Sequence, residues 1–133
     1  MVKPQNKDAN VVIYCSDPRV VVRFHDADFR AKLDINSSHS VIAETGSIKF
    51  FMNEGLMDKL YKQLDILVGH FKPEKIIILN HTDCGYYKSL DQDKEEIYIK
   101  DLQTSAKEIA QKYPNVKVSG YLLNTEAGSL TEA

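Results

Sequence analysis

Two short clusters carry the residues of this chain best suited to metal or nucleophilic chemistry: Cys15-Ser16-Asp17-Pro18-Arg19 and His81-Thr82-Asp83-Cys84-Gly85. Together they supply one imidazole and both of the chain's cysteines. Zinc favours thiolate and imidazole donors in a tetrahedron, and a catalytic zinc takes three protein ligands and leaves the fourth position to water or substrate. Cys15, His81 and Cys84 fit that count. His81 and Cys84 stand close enough in one turn to grip a single ion, and a helix opening at Gly85 would favour the Cys84 thiolate. Asp17 and Arg19 fall on the same side of an extended segment, so the guanidinium can hold the carboxylate by paired hydrogen bonds. A second chemistry is open, with Cys84 as nucleophile and His81 as its base. It leaves Cys15 and the Asp17 and Arg19 pair without a task. Taken singly, a cysteine ending a buried strand is usually a small core residue and a histidine in a loop a surface residue. The metal reading depends on the two clusters meeting.

The elements around the clusters predict that they do. Val11 to Cys15 is a short β-branched run that reads as a strand buried on both faces. Val20 to Leu33 reads as helical, Asn36-Ser37-Ser38 as punctuation, and Ser40 to Ala43 as a second strand. From Asn53 the residues Leu56, Leu60, Leu64, Leu67, Val68 and Phe71 recur at the helical period, and Pro73 follows. Lys75 then opens Ile76-Ile77-Ile78-Leu79, a third buried strand that runs into His81. A helical pattern through Tyr98, Leu102, Ile109 and Tyr113 stops at Pro114, and Val116 to Leu123 makes a fourth strand. Strands alternating with helices predict an α/β fold, a parallel sheet of about four main strands with flanking helices. Ligands of such sheets bind beyond the carboxyl ends of the strands, where Cys15 and His81 both fall.

Composition removes other classes. The 133 residues suit one domain over 11–133 with a loose polar arm over 1–10. A net charge of −2 offers no basic excess for nucleic acid, and no apolar run approaches the roughly 20 residues that cross a bilayer. The polar first ten residues lack the apolar core of a secretory signal, so the expected location is cytoplasmic, with thiols kept reduced. There is no Gly-rich phosphate loop, Gly-x-Ser-x-Gly elbow or Cys-x-x-Cys pair. His25, His39 and His70 read as solvated, Asp83 as the cap of the helix that follows it, and Asp91 to Glu96 as a solvated helix start. Tyr86 and Tyr87 either line the pocket or pack.

The pattern Cys-x-Asp-x-Arg followed by His-x-x-Cys-Gly resembles the β-class carbonic anhydrases. The resemblance covers most of the chain, because the helix, the Lys75 to Leu79 strand, the His81 to Gly85 turn and Gly120-Tyr121-Leu122-Leu123 stand in the family's order. It implies the β-carbonic-anhydrase-like parallel α/β fold, Zn2+ held by Cys15, His81 and Cys84, and Asp17 paired with Arg19 as the catalytic dyad. It further implies Gly46 and Gly85 at the substrate, and reversible hydration of carbon dioxide to bicarbonate and a proton. The implied assembly is a homodimer or larger. In some members the aspartate takes the fourth zinc position instead, a closed form. The segment Ala43-Glu44-Thr45-Gly46-Ser47 keeps only the glycine of the family's Arg-Asn-Ala-Gly-Asn, and Asn80 replaces the usual glycine before His81. These departures carry two further readings, a non-catalytic zinc-binding or regulatory homologue and a zinc hydrolase acting on carbon disulfide or carbonyl sulfide.

Overall fold

The structure, a computed structural model, describes residues 10–35 and 38–133. In chain order the elements are β1 (Asn10–Cys15), α1 (Pro18–Val21), a 3-10 turn (Val22–His25), α2 (Ala27–Lys32), β2 (His39–Glu44), α3 (Ile48–Asn53), α4 (Met57–Phe71), β3 (Lys75–His81), α5 (Gly85–Ser89), α6 (Glu95–Lys112), β4 (Lys117–Leu123) and β5 (Leu130–Glu132). The strands form one sheet in the order β2-β1-β3-β4-β5, parallel except for β5, which runs antiparallel to β4. This is the expected α/β architecture with one strand more than the hydrophobic runs announced. β5 pairs Leu130 with Leu123, but its Thr131 and Glu132 carry no apolar alternation by which a sequence could show it.

The continuous apolar runs of β1 and β3 are explained by burial on both faces. Val11, Ile13, Cys15, Ile76 and Ile78 pack with Leu60 and Leu64 of α4 and Leu102 and Ile109 of α6 on one face. Val12, Tyr14, Ile77 and Leu79 meet Val20, Phe24, Phe29 and Leu33 on the other. The chain leaves β1 toward β2 at one side and enters β3 at the other, so strand order reverses between β1 and β3. That reversal is the switch point at which such sheets form a crevice.

Local chemistry sets where the helices start and stop. The segment Val20 to Leu33, expected to contain a helix, holds the end of α1, the 3-10 turn and α2, with a break at Asp26, which is extended (φ −95°, ψ 120°) and caps α2 by accepting the Asp28 N–H at 2.9 Å. The helix expected from Asn53 is α4, which starts only at Met57 after Gly55 turns the backbone at φ +70°, and the helix α3 before that turn was not expected. Asn10, assigned to the arm by sequence, is the buried first residue of β1, and its Oδ1 accepts the Lys75 N–H at 3.3 Å. The rest of the expected arm, residues 1–9, and Asn36-Ser37 of the punctuation lie outside the described residues.

A central strand without exposed surface should be intolerant of lost volume. Ile78→Ala, at a fully buried position, should lower the unfolding free energy by about 2–5 kcal/mol. Ile66→Ala on α4, 62% exposed, should change it by no more than about 0.5 kcal/mol. Denaturant midpoints of the two variants test the difference.

Candidate metal centre

Cys15 ends β1 and His81 ends β3, and Cys84 follows in the turn that leads to α5. All three side chains are buried, and their ligand atoms lie within 4.8 Å of one another. A single ion with bonds of about 2.0–2.3 Å can bridge such a set. His81 Nδ1 lies 2.7 Å from the Thr82 carbonyl and donates to it, which leaves Nε2 as the free lone pair. Nε2 is buried with no hydrogen-bond partner, a costly state for a polar atom that a metal ion would relieve. The donor set and this orphaned nitrogen fit a metal of zinc's type.

The electrostatics of the three groups are coupled. The Cys84 thiol donates toward Cys15, and with the His81 ring and then the Gly46 and Asp17 N–H groups also acting on its sulfur against burial, Cys15 is held far below the usual thiol range. Cys84 is pushed up by that same interaction and by burial, against the Tyr87 and Tyr86 N–H groups that favour its thiolate. Burial alone would lower the His81 pKa, but the Cys15 thiolate outweighs it and raises the pKa. Without metal, one sulfur is therefore ionised and the other holds a proton.

Asp17 and Arg19 meet as expected, by a different local geometry. Asp17 is the N-cap of α1 and accepts the Arg19 N–H at 2.8 Å, with Pro18 at the first helical position. The guanidinium closes the pair with Nε to Oδ1 at 3.1 Å and Nη2 to Oδ2 at 2.8 Å. Arg19 thereby holds the Asp17 carboxyl below its ordinary range. Asp17 Oδ2 stands 3.8 Å from His81 Nε2, at the edge of the ligand set.

Gly46 is placed beside the site through its main chain, donating to Cys15 Sγ at 3.3 Å. It is at φ +90°, and a Cβ there would come within 2.6 Å of the Tyr86 ring. Gly85 is the exposed first residue of α5, with open space around it. The altered segment holds its shape through the Glu44 carbonyl, which accepts from Ser16 and Ser47 N–H groups, and through a Ser16 to Thr45 hydroxyl contact at 3.0 Å. Of the tyrosines, Tyr87 packs, fully buried, with its hydroxyl donating to Asp101 at 2.9 Å and accepting from Asn80 at 3.1 Å.

Two acidic residues have roles the sequence reading missed. Asp83 does not cap α5, whose N-cap is Cys84 with no side-chain cap bond. Its carboxylate pairs with Arg19 and Lys88 instead, and Lys88 and then Arg19 hold its pKa down to about 2. Asp93, expected to be a solvated residue of a helix start, accepts from Asp83 N–H at 3.2 Å and from the Tyr98 hydroxyl at 2.6 Å. Tyr98 in turn accepts the Cys84 N–H at 3.2 Å. His25 and His70 are exposed as expected, but His39 is half-buried against Phe24, and burial lowers its pKa. A cleft of about 710 Å³ borders the dyad, lined by Arg19, Thr82, Asp83, Asp93, Thr125 and Glu126 among others. No helix among the described residues is long and apolar enough to cross a membrane.

Residues 5–130 match the protein family described as "Putative carbonic anhydrase". No curated relative matches the chain. Among solved structures, it is similar to the carbonic anhydrase of Streptococcus mutans, at TM-score 0.64 and 16% identity, over 96% of this chain and 82% of that one. The carbonic anhydrase of Glaciozyma antarctica follows at TM-score 0.58 and 18% identity, over 97% and 83%. The apo form of a carbon disulfide hydrolase is similar at TM-score 0.57 and 18% identity, over 96% and 79%. With the family match spanning nearly the whole chain, and with a mostly parallel sheet beneath a Cys/His/Cys cluster that could bind a metal, this chain belongs to the "Putative carbonic anhydrase" family and has the fold of the β-carbonic anhydrases.

Proposed function

We propose that this chain catalyses the reversible hydration of carbon dioxide to bicarbonate and a proton, with Cys15, His81 and Cys84 holding Zn2+ and Asp17 and Arg19 acting on the reactants. The observation that carries the reading is the meeting of the three ligand atoms with a carboxylate already ionised at their edge. Zinc held there would lower the pKa of a bound water toward about 7 and so supply a nucleophile at neutral pH.

The chain's own residues then have separable tasks. An ionised carboxylate can only accept hydrogen bonds, so Asp17 accepts from the attacking water or hydroxide and turns its lone pair toward carbon dioxide. Arg19 keeps Asp17 ionised and fixes its plane through two parallel contacts. His81 is held by the Thr82 carbonyl in the tautomer that presents Nε2. The carboxylates of Asp93, Glu95 and Glu126 along the neighbouring cleft disfavour retention of the bicarbonate anion. Gly46, through the N–H it gives to Cys15, and Gly85, with open space around it, complete the proposed substrate surface.

A second reading keeps the metal and changes the substrate to carbon disulfide or carbonyl sulfide. The structural likeness to a carbon disulfide hydrolase, about equal to that of the second carbonic anhydrase, favours testing it. We place the protein in the cytoplasm as a homodimer or larger. The outer edge of β2 is unpaired among the described strands, and its Val41 is 42% exposed.

Stopped-flow measurement on protein of known zinc content tests the assignment. Wild type should hydrate carbon dioxide, and Asp17→Asn should keep its zinc while turnover falls about 10²- to 10⁴-fold. Full zinc with turnover on carbon disulfide or carbonyl sulfide alone would favour the second reading, and full zinc without turnover on any of the three a non-catalytic homologue. Zinc affinity should weaken at least about tenfold per unit fall in pH through the neutral range. The sign follows from Cys84, which holds a proton in the free site and none when it ligates; competition titrations with a chelator give the slope. Light scattering should return at least twice the monomer mass, and a monomer would refute the assembly.

A further inference from the structure

We propose that Asp83 is the positioning residue of the Asp17 and Arg19 pair, holding Arg19 from its far side and so keeping Asp17 at the edge of the metal ligands rather than among them. The inference rests on the proposed zinc site and deepens it. Arg19 divides its donors between two aspartates from motifs far apart in sequence. Nε and Nη2 face Asp17, while Nη1 donates to Asp83 Oδ2 at 2.9 Å and Nη2 also donates to the Asp83 carbonyl at 3.0 Å. The contacts to Asp17 join residues of one short turn and cannot by themselves fix the pair relative to His81 and Cys84. The contacts to Asp83 can, because Asp83 lies between those two ligands in the chain.

Asp83 is itself held in place. It occupies the left-handed region at φ +59°, which aspartate tolerates better than most residues. Its N–H donates to Asp93 Oδ1, and its other carboxylate oxygen pairs with Lys88. Asp93 is anchored by the Tyr98 hydroxyl, which also accepts the Cys84 N–H. Arg19 is thus referenced to the same frame that positions Cys84. The Arg19 side chain is 46% exposed, so its long stem would sample other rotamers once the Asp83 contacts were removed. Asp17 would then lose its fixed plane, and with Oδ2 only 3.8 Å from His81 Nε2 it could turn in as the fourth ligand through oxygen, a donor zinc accepts.

The test uses the full chain loaded with Co2+ in place of zinc, compared as wild type, Asp83→Asn, Asp17→Asn and the double variant. Asparagine keeps tolerance of the left-handed backbone and removes the charge. Asp83→Gly, which also accepts that backbone, removes the side chain outright and serves if the asparagine variant folds poorly. The visible absorption of bound Co2+ should change in Asp83→Asn, and adding that substitution to Asp17→Asn should leave the spectrum of Asp17→Asn unmoved. With zinc, turnover of Asp83→Asn should fall about 10- to 100-fold at unchanged metal content, and Asp83→Glu should recover part of it. A Co2+ spectrum of Asp83→Asn identical to wild type would overturn the proposal. So would a change that persists when Asp17 is already replaced. Failure of wild type to turn over carbon dioxide would sink the proposed activity while leaving the Co2+ comparison able to decide the role of Asp83.

Discussion

The pairing of β1 with β3 is the constraint on which the site depends. Val11, Val12 and Ile13 are registered against Ile76, Ile77 and Ile78, and none of the six has more than a trace of exposed surface. Parallel strands of this kind need apolar cover on both faces, and the helices on either side supply it. Once that register is set, the carboxyl ends of the two strands lie side by side. Cys15 and His81 are carried there by the same core that stabilises the fold, so a slip of one residue between the strands would separate the ligands as well as cost packing.

Burial makes the ligand cluster responsive to a cation. Two sulfurs and an imidazole share a small buried volume, and its charge is distributed by hydrogen bonds to sulfur from Gly46, Asp17, Tyr86 and Tyr87. These N–H groups come from the loop after β2, the start of α1 and the start of α5. Each favours a thiolate without adding a formal charge. His81 Nε2 is among the buried side-chain atoms left without a hydrogen-bond partner, and a buried nitrogen in that state is a donor awaiting an electrophile.

Two polar systems hold the turn that carries Cys84. On the open side, Arg19, Asp83, Lys88 and Asp93 link α1 to the loops at either end of α5. On the buried side, Lys49 of α3 pairs with Asp101 of α6 at 2.9 Å, Asp101 accepts from Tyr87 of α5, and Tyr87 accepts from Asn80 of β3. A buried ion pair adds little net stability after desolvation. Its effect here is geometric, since three helices and a strand are tied to one another directly behind His81 and Cys84. Asn80, where a glycine was expected, is part of this network rather than a vacancy in the pocket wall.

What the sequence determined by itself was chemistry tied to neighbours along the chain. The buried runs of β1 and β3, the amphipathic period of α4 and α6, the ligand types and the proximity of Asp17 to Arg19 are all set within a few residues, and each was legible. The break at Asp26 and the short α3 before Gly55 were harder, because a cap leaves the surrounding helical period intact and six residues barely carry one. β5 was not legible, because three residues with one apolar side chain carry no period. The role of Asp83 was decided only by tertiary structure. In the sequence it looks like a helix cap beside Cys84, and its partner Arg19 lies 64 residues away, brought to it by strand pairing alone. The same holds for Asp93 and for the Gly46 N–H on Cys15, whose partners are chosen by which loops the sheet gathers at its carboxyl edge. Local patterns specify what a residue can do, and long-range packing specifies to whom it does it.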